Sequence, residues 1–269
     1  MRGVLAPYSL WTNDDPRLHM AAWDVDGPPL LLVHGMGAHT GWFETLAPLL
    51  DGAARPVALD LSGHGDSGWR APGAYSSQAW VADIEDARHA LGWDTFALCG
   101  HSLGARVALD YAAAHPGRLS KLIVVDFLPE FEHGGRYSRP RTVPQPLYDS
   151  EANVVSRFRL QPDGTLLDPV ALERLARSSV RKTKEGWTWK FDWSSFRYVY
   201  SPLWDTLPKV TAPTLVVRGG QSRLMPQPVL DRVVSGLKQG QAATVDKAHH
   251  HVPLDCPEEL AAVMRQFLA

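Results

Sequence analysis

From residue 28 the chain alternates two hydrophobic rhythms. Apolar residues run almost unbroken over 29–33, 56–61, 95–99 and 119–125, lengths that suit strands. Between the second and third runs, Trp80, Ile84, Ala87 and Leu91 recur at helical spacing over 77–91; Leu103, Val107 and Tyr111 do so directly after the third. A strand that is apolar at successive positions is covered on both faces. Alternation with helices therefore predicts an α/β fold with a mostly parallel, doubly wound sheet. The rhythm lapses after Asp126. It resumes with a strand over 213–218, a helix over 228–237, a strand over 242–245 and a terminal helix over 257–268 that Pro257 opens.

The interruption has its own character. Residues 128–204 hold a Pro/Arg-rich crossing at 139–146, helical patterns and a dense aromatic stretch. The spacing predicts a core built from 1–127 and 205–269, with 128–204 inserted as a helical cap over the carboxyl edge of the sheet. Ligands of such sheets bind outside that edge. Four of the ten tryptophans (Trp187, Trp189, Trp193 and Trp204) fall in the aromatic stretch, beside Phe191, Phe196, Tyr198 and Tyr200. Residues 186–191 alternate as an extended segment does, so one face of that segment can reach a ligand. Trp187, Trp189 and Trp193 are the expected pocket residues, and a largely apolar group is the expected guest.

Composition narrows the field. The 269 residues carry 27 basic and 29 acidic side chains, a net charge of −2, which argues against an electrostatic grip on nucleic acid. The longest apolar runs are far below the ~20 residues of a membrane span. Residues 1–7 hold one Arg and an apolar run broken by Pro7, too little for a signal peptide. Two cysteines, Cys99 and Cys256, make no disulfide framework and point to a reducing cytoplasm.

The chemistry centres on Gly100-His101-Ser102-Leu103-Gly104, a G-x-S-x-G element with a strand before it and a helix after it. In that setting the serine sits on a tight, strained turn. The two glycines remove side chains that would clash, and the helix N-terminus offers free N–H groups to an anion.

In order and spacing, three segments resemble the α/β-hydrolase family: His34-Gly35-Met36-Gly37 after the first strand, Asp60 to Ser67 after the second, and the turn at Ser102. The resemblance covers nearly the whole chain outside the cap. It implies Ser102 as nucleophile and an oxyanion hole made by the backbone N–H groups of Met36 and Leu103. It makes His34 a holder of its loop, and gives His64 and Asp66 structural parts. The base follows the last strand in the family, which selects His250 from the run His249-His250-His251, with His249 as second choice. Three adjacent histidines also invite a metal reading. Neighbours in sequence rarely converge on one ion and no cysteine or carboxylate set accompanies them, so no metal is expected.

The acid departs from the family pattern. Ser222 stands where the family commonly has Asp, in the turn after the strand that follows the cap. Asp126, at the end of the strand before the cap, replaces it, and the order Ser102, Asp126, His250 still follows the family's. Asp246 and Asp255 lie too near His250 in sequence to approach its ring easily. On this reading Ser222→Ala is near neutral. The resemblance then implies a serine hydrolase that needs no cofactor and acts on a small carboxylic ester through an acyl-enzyme. Lactonase, thioesterase, C–C bond hydrolase and perhydrolase activities use the same machinery. A non-catalytic ligand-binding relative of the fold is the alternative from another class.

Overall fold

The computed structural model describes residues 5–131, 144–198 and 200–269. Most of the Pro/Arg-rich crossing expected at 139–146 lies outside the described residues. In chain order the elements are β1 (Tyr8–Trp11), β2 (His19–Ala22), β3 (Pro29–Val33), β4 (Arg55–Leu59), α1 (Ser77–Ala90), β5 (Phe96–His101), α2 (Leu103–Ala114) and β6 (Leu119–Val125). After them come α3 (Glu151–Val155), α4 (Pro169–Ser178), β7 (Val180–Lys182), β8 (Trp187–Trp189), β9 (Thr214–Gly219), α5 (Gln227–Gly236), β10 (Gly240–Val245), α6 (Val252–Asp255) and α7 (Pro257–Leu268).

Eight strands form one sheet in the order β1-β2-β4-β3-β5-β6-β9-β10. β1 and β2 join antiparallel, and every pair from β4 to β10 is parallel. The chain steps outward from β3 to β4 and then crosses back to place β5 on the other side of β3. The strand order therefore reverses between β3 and β5, and a crevice opens there at the carboxyl ends.

The continuous apolar runs have a direct cause. Leu31 and Val33 of β3 point into one core, with Trp80 and Ile84 of α1, Val107 and Tyr111 of α2, and Leu230 and Val233 of α5. Leu30 and Leu32 point the other way, toward Phe43, Leu46 and the α7 residues Leu260 and Met264. All four β3 side chains are fully buried. Burying each such side chain is worth roughly 1.5–3 kcal/mol, so the two-sided strands carry much of the folding free energy.

The hairpin of β1 and β2 has no counterpart in the sequence reading. Its strands are four residues each and β1 is largely exposed, so neither leaves an apolar run. Pairing of Met20–Ala22 with Val57–Leu59 of β4 is what orders β2.

β6 and β9 are neighbours in the sheet although nearly ninety residues of chain separate them. Among the described residues the segment between them is mixed rather than purely helical: two short helices, the antiparallel pair β7/β8, and 3-10 turns at Trp193–Arg197 and Leu207–Lys209. It is fastened to the loop after β4. Asp192 N–H donates to Gly63 O at 2.7 Å, Tyr75 donates to Asp192 Oδ2 at 2.7 Å, and Arg181 donates to Gly65 O.

α2 can lie close to β3 because residue 104 has no side chain. A Cβ on Gly104 would collide with Val33 O and come within 2.7 Å of His34 O. Gly104→Ala is accordingly expected to lower stability by about 1–3 kcal/mol through overpacking, read as an earlier midpoint in urea unfolding. An unchanged midpoint would show that α2 is free to shift.

Candidate active site

β5 runs straight into α2, and Ser102 is the hinge between them. Its backbone is left-handed, φ 55° and ψ −113°. Such torsions are costly for a residue with a Cβ and persist only where the surroundings impose them. Here the Ser102 N–H donates to Val125 O at 3.0 Å, while its own C=O already accepts from Ala105 N at 3.1 Å. Chain must pass close on either side, since a Cβ on Gly100 would come within 2.6 Å of Ala105 N. The side chain thus stands up at the carboxyl edge of the sheet, partly exposed.

Asp126 is reached by the same logic one strand over. It follows β6, has φ 39°, and its N–H donates to Val217 O of β9 at 2.8 Å. The carboxylate is fully buried. A buried charge needs partners, and it has three: Oδ2 accepts from Gly219 N at 2.7 Å, and Oδ1 accepts from Ser222 Oγ at 2.6 Å and from His250 Nδ1 at 2.8 Å. His250 comes from the loop after β10, which passes over Gly219; a Cβ there would meet Ala248 O at 2.6 Å. The far nitrogen of that ring, Nε2, lies 3.1 Å from Ser102 Oγ. Ser102, His250 and Asp126 are therefore joined in one hydrogen-bonded chain. His249 is not part of it: its ring faces Gly164 and its N–H donates to Asp255 Oδ2 at 2.8 Å. Asp255 is engaged elsewhere too, accepting from Thr165 Oγ1 and Leu166 N.

Protonation follows from burial. Desolvation pushes the His250 pKa down to about 4, against a smaller upward pull from Asp255, so the ring is neutral near pH 7. Desolvation raises Asp126 to about 6, opposed by the hydrogen bonds from Ser222 and Gly219, so the carboxylate stays charged there. A neutral ring with Nδ1–H fixed by a carboxylate leaves Nε2 as the acceptor for the Ser102 hydroxyl proton.

The loop after β3 closes the other side. A Cβ on Gly35 would sit 3.2 Å from Ser102 Cβ, so this backbone runs directly against the serine. Buried His34 holds it, donating from Nδ1 to Gly35 O at 2.7 Å and accepting from Leu61 N at 3.1 Å. Met36 follows in the same loop. Leu103 is the first residue of α2, where an N–H has no acceptor within the helix.

Two further histidines surround the site. His101 donates from Nε2 to His250 O at 2.9 Å, and its ring packs 4.8 Å from the His250 ring. His251 donates from Nε2 to Pro162 O at 2.9 Å, its ring 5.0 Å from that of His250. Both rings are buried, and burial lowers both pKa values, that of His251 to about 4. The sequence reading passed over His101, although its place beside Ser102 in the G-x-S-x-G element marks it.

The aromatic stretch divides. Phe191 and Phe196 lie over the loop after β3, within 3.6 Å of where a Cβ on Gly37 would be. Trp193 stacks behind them, its ring 5.7 Å from each. Trp189 is buried with Val154 and Val180, against Tyr148 and Phe158, and Trp187 packs in the same cluster. Phe191 and Phe196 are thus set against the loop beside Ser102, while Trp189 is buried within the insertion. Alternation alone could not show which face turns inward.

Comparison with known proteins agrees with this architecture. The model of a family described as having the alpha/beta hydrolase fold matches residues 28–257. A serine hydrolase-like protein of Danio rerio is 29% identical over 266 residues, covering 90% of this chain and 82% of its own. An esterase of Mycobacterium tuberculosis is 27% identical over 259 residues, covering 91% and 84%. The crystal structure of E-2-(acetamidomethylene)succinate hydrolase superposes with a TM-score of 0.83 at 24% identity, covering 97% of this chain and 99% of that one. A family match running through residues 28–257, most of the chain, makes this protein a member of the α/β-hydrolase fold family.

Proposed function

We propose that this protein is a serine hydrolase of small carboxylic esters, with Ser102 as nucleophile, His250 as base and Asp126 as acid. The observation that carries the reading is the continuous chain from Ser102 Oγ through the His250 ring to Asp126, 3.1 and 2.8 Å long in its two links. His250 Nε2 takes the hydroxyl proton as Ser102 Oγ attacks the acyl carbon. The Met36 and Leu103 N–H groups hold the oxygen that becomes negative, aided by the N-terminus of α2. Each donor of this kind typically contributes about 2.7–4 kcal/mol. His250 then protonates the leaving alcohol, and later activates the water that releases the acid. Asp126 keeps the ring in the productive tautomer and stabilises its charged form. Every group used is a side chain or backbone N–H of the chain itself, so the reading calls for no cofactor. The serine hydrolase and esterase names of the relatives point the same way.

Residues 128–204 act as a cap on this reading, with Phe191, Phe196 and Met36 forming the apolar wall nearest Ser102 and Trp193 supporting them. Two free, buried cysteines suit a reducing cytoplasm.

Three outcomes test these assignments. Ser102→Ala is expected to abolish hydrolysis of p-nitrophenyl acetate and labelling by a fluorophosphonate while leaving the thermal melt intact. Full activity in the folded variant would sink the reading.

Asp126→Asn keeps the shape but removes the charge; in a serine protease such a change costs ~10⁴ in kcat. Ser222→Ala, near neutral on the sequence reading, is now expected to cost roughly 10-fold, because the hydroxyl donates to the oxygen that also takes His250 Nδ1, and hydrogen bonds to charged groups are worth about 1.5–3 kcal/mol. Steady-state kinetics of both variants, with Asp126→Asn close to wild type, would remove Asp126 from its role.

Across esters of graded chain length, Phe196→Ala is expected to change selectivity more than the rate on acetate. Trp187→Ala should lower stability with selectivity kept. The reverse pattern would return the pocket to Trp187.

A further inference from the structure

The run His249-His250-His251 does not converge with itself, but two of its members converge with a third histidine from β5. His101, His250 and His251 each offer a ring nitrogen, and the three nitrogens lie within 4.8 Å of one another. We propose that these three imidazoles form a binding site for a borderline divalent transition metal ion of the Zn²⁺ or Cu²⁺ class. Occupation of this site shuts off hydrolysis by withdrawing His250 from Ser102.

The ring orientations favour a cation. His101 Nε2 and His251 Nε2 both face carbonyl oxygens, of His250 and Pro162. A carbonyl only accepts, so each Nε2 carries the proton and each Nδ1 is left with a bare lone pair. Backbone carbonyls fix ligand histidines in metal sites in this same way. Nothing in the hydrogen-bond pattern consumes the lone pair of His251: its Nδ1 is buried and has no hydrogen-bond partner among the described residues. A buried, unsatisfied acceptor is costly, and a cation is one group that relieves it.

Charge and surroundings agree. Three neutral imidazoles leave a dication uncompensated, but the buried Asp126 carboxylate lies close enough to couple electrostatically to both His101 and His251. Trp42 walls the site, its ring 6.1 Å from His101 and 5.4 Å from His251. Imidazole ligands suit Zn²⁺ and Cu²⁺, while Mg²⁺ and Ca²⁺ prefer oxygen. Tetrahedral Zn–N bonds of about 2.0–2.1 Å place ligand nitrogens roughly 3.3 Å apart, so binding draws the three rings together. That movement takes His250 out of line with Ser102, and the nucleophile loses its base.

The inhibition rests on the role assigned to His250, whereas the binding does not, and the experiment separates them. Zn²⁺ is titrated calorimetrically into the full wild-type chain and into His101→Asn and His251→Gln, with a thermal melt of each. One ion per wild-type chain is expected, with affinity at least 10-fold weaker in each variant that folds. Crystals of the wild-type chain soaked in ZnCl₂ give a second measurement that needs no variant: anomalous scattering at the zinc edge should peak among the three rings. No stoichiometric binding, equal affinity in a folded variant, or a peak elsewhere overturns the site. Ester hydrolysis by the wild type should fall at least 10-fold on saturation with Zn²⁺ and return with EDTA, with Mg²⁺ having no effect. An ion seated among the three rings with hydrolysis undiminished would leave the site standing and overturn both the inhibition and His250 as the base.

Discussion

The buried carboxylate of Asp126 locks together segments that parallel strand pairing brings to one edge of the sheet. A charge with no exposed surface is tolerable only when its lone pairs are filled. Here the donors come from Gly219, Ser222 and His250, almost a hundred residues and more away along the chain. Each donor sits at the carboxyl end of a parallel strand or just beyond it. Parallel pairing of β5, β6 and β9, with β10 beside them, therefore sets the carboxylate, its partners and Ser102 at one edge. The left-handed backbone at Ser102 and Asp126 is local strain of the kind that packing on both faces of the sheet can sustain.

The same edge accounts for the acid proposed at Asp126. Ser222, in the turn where resemblance to the family leads one to expect a carboxylate, points instead at the imidazole's partner. Its hydroxyl donates to Asp126 Oδ1 and supports the charge it does not itself supply. The carboxylate thus stands at the end of β6, and a neutral donor stands in the turn after β9. Burial alone would push a carboxylate so placed toward its neutral form, and the donors from Ser222 and Gly219 oppose that push.

The insertion after β6 is fastened to the core from both sides along its length. Asp192, Tyr75 and Arg181 pin it to the loop after β4, and a small cluster of Ala38, Trp42, Leu160 and Leu175 fills the seam on the other side. These contacts fix Phe191 and Phe196 beside the loop at Gly35–Gly37, so the apolar wall near Ser102 is set by packing within the insertion as much as by the sheet.

Much of this was legible in the sequence because local rules write it there. Two-sided burial makes unbroken apolar runs, which is why β3, β5, β6 and β9 could be read directly. The strand-to-helix turn needs glycines flanking Ser102, and they are visible at 100 and 104. Asp126 and His250 were picked out by resemblance to the family rather than by any local rule, the first after the strand before the insertion and the second after the last strand. What tertiary structure alone decided was convergence. β1 and β2 are ordered by pairing with β4, not by a pattern of their own. Which face of the aromatic stretch turns inward depends on how β7 and β8 pack, so Phe191 and Phe196 lie against the loop beside Ser102 while Trp189 is buried within the insertion. Ser222 became a partner of Asp126 only because β6 and β9 are neighbours. His101 met His250 and His251 for a similar reason: β5 and the loop after β10 end at the same edge, and no spacing along a chain records a meeting made by parallel strands.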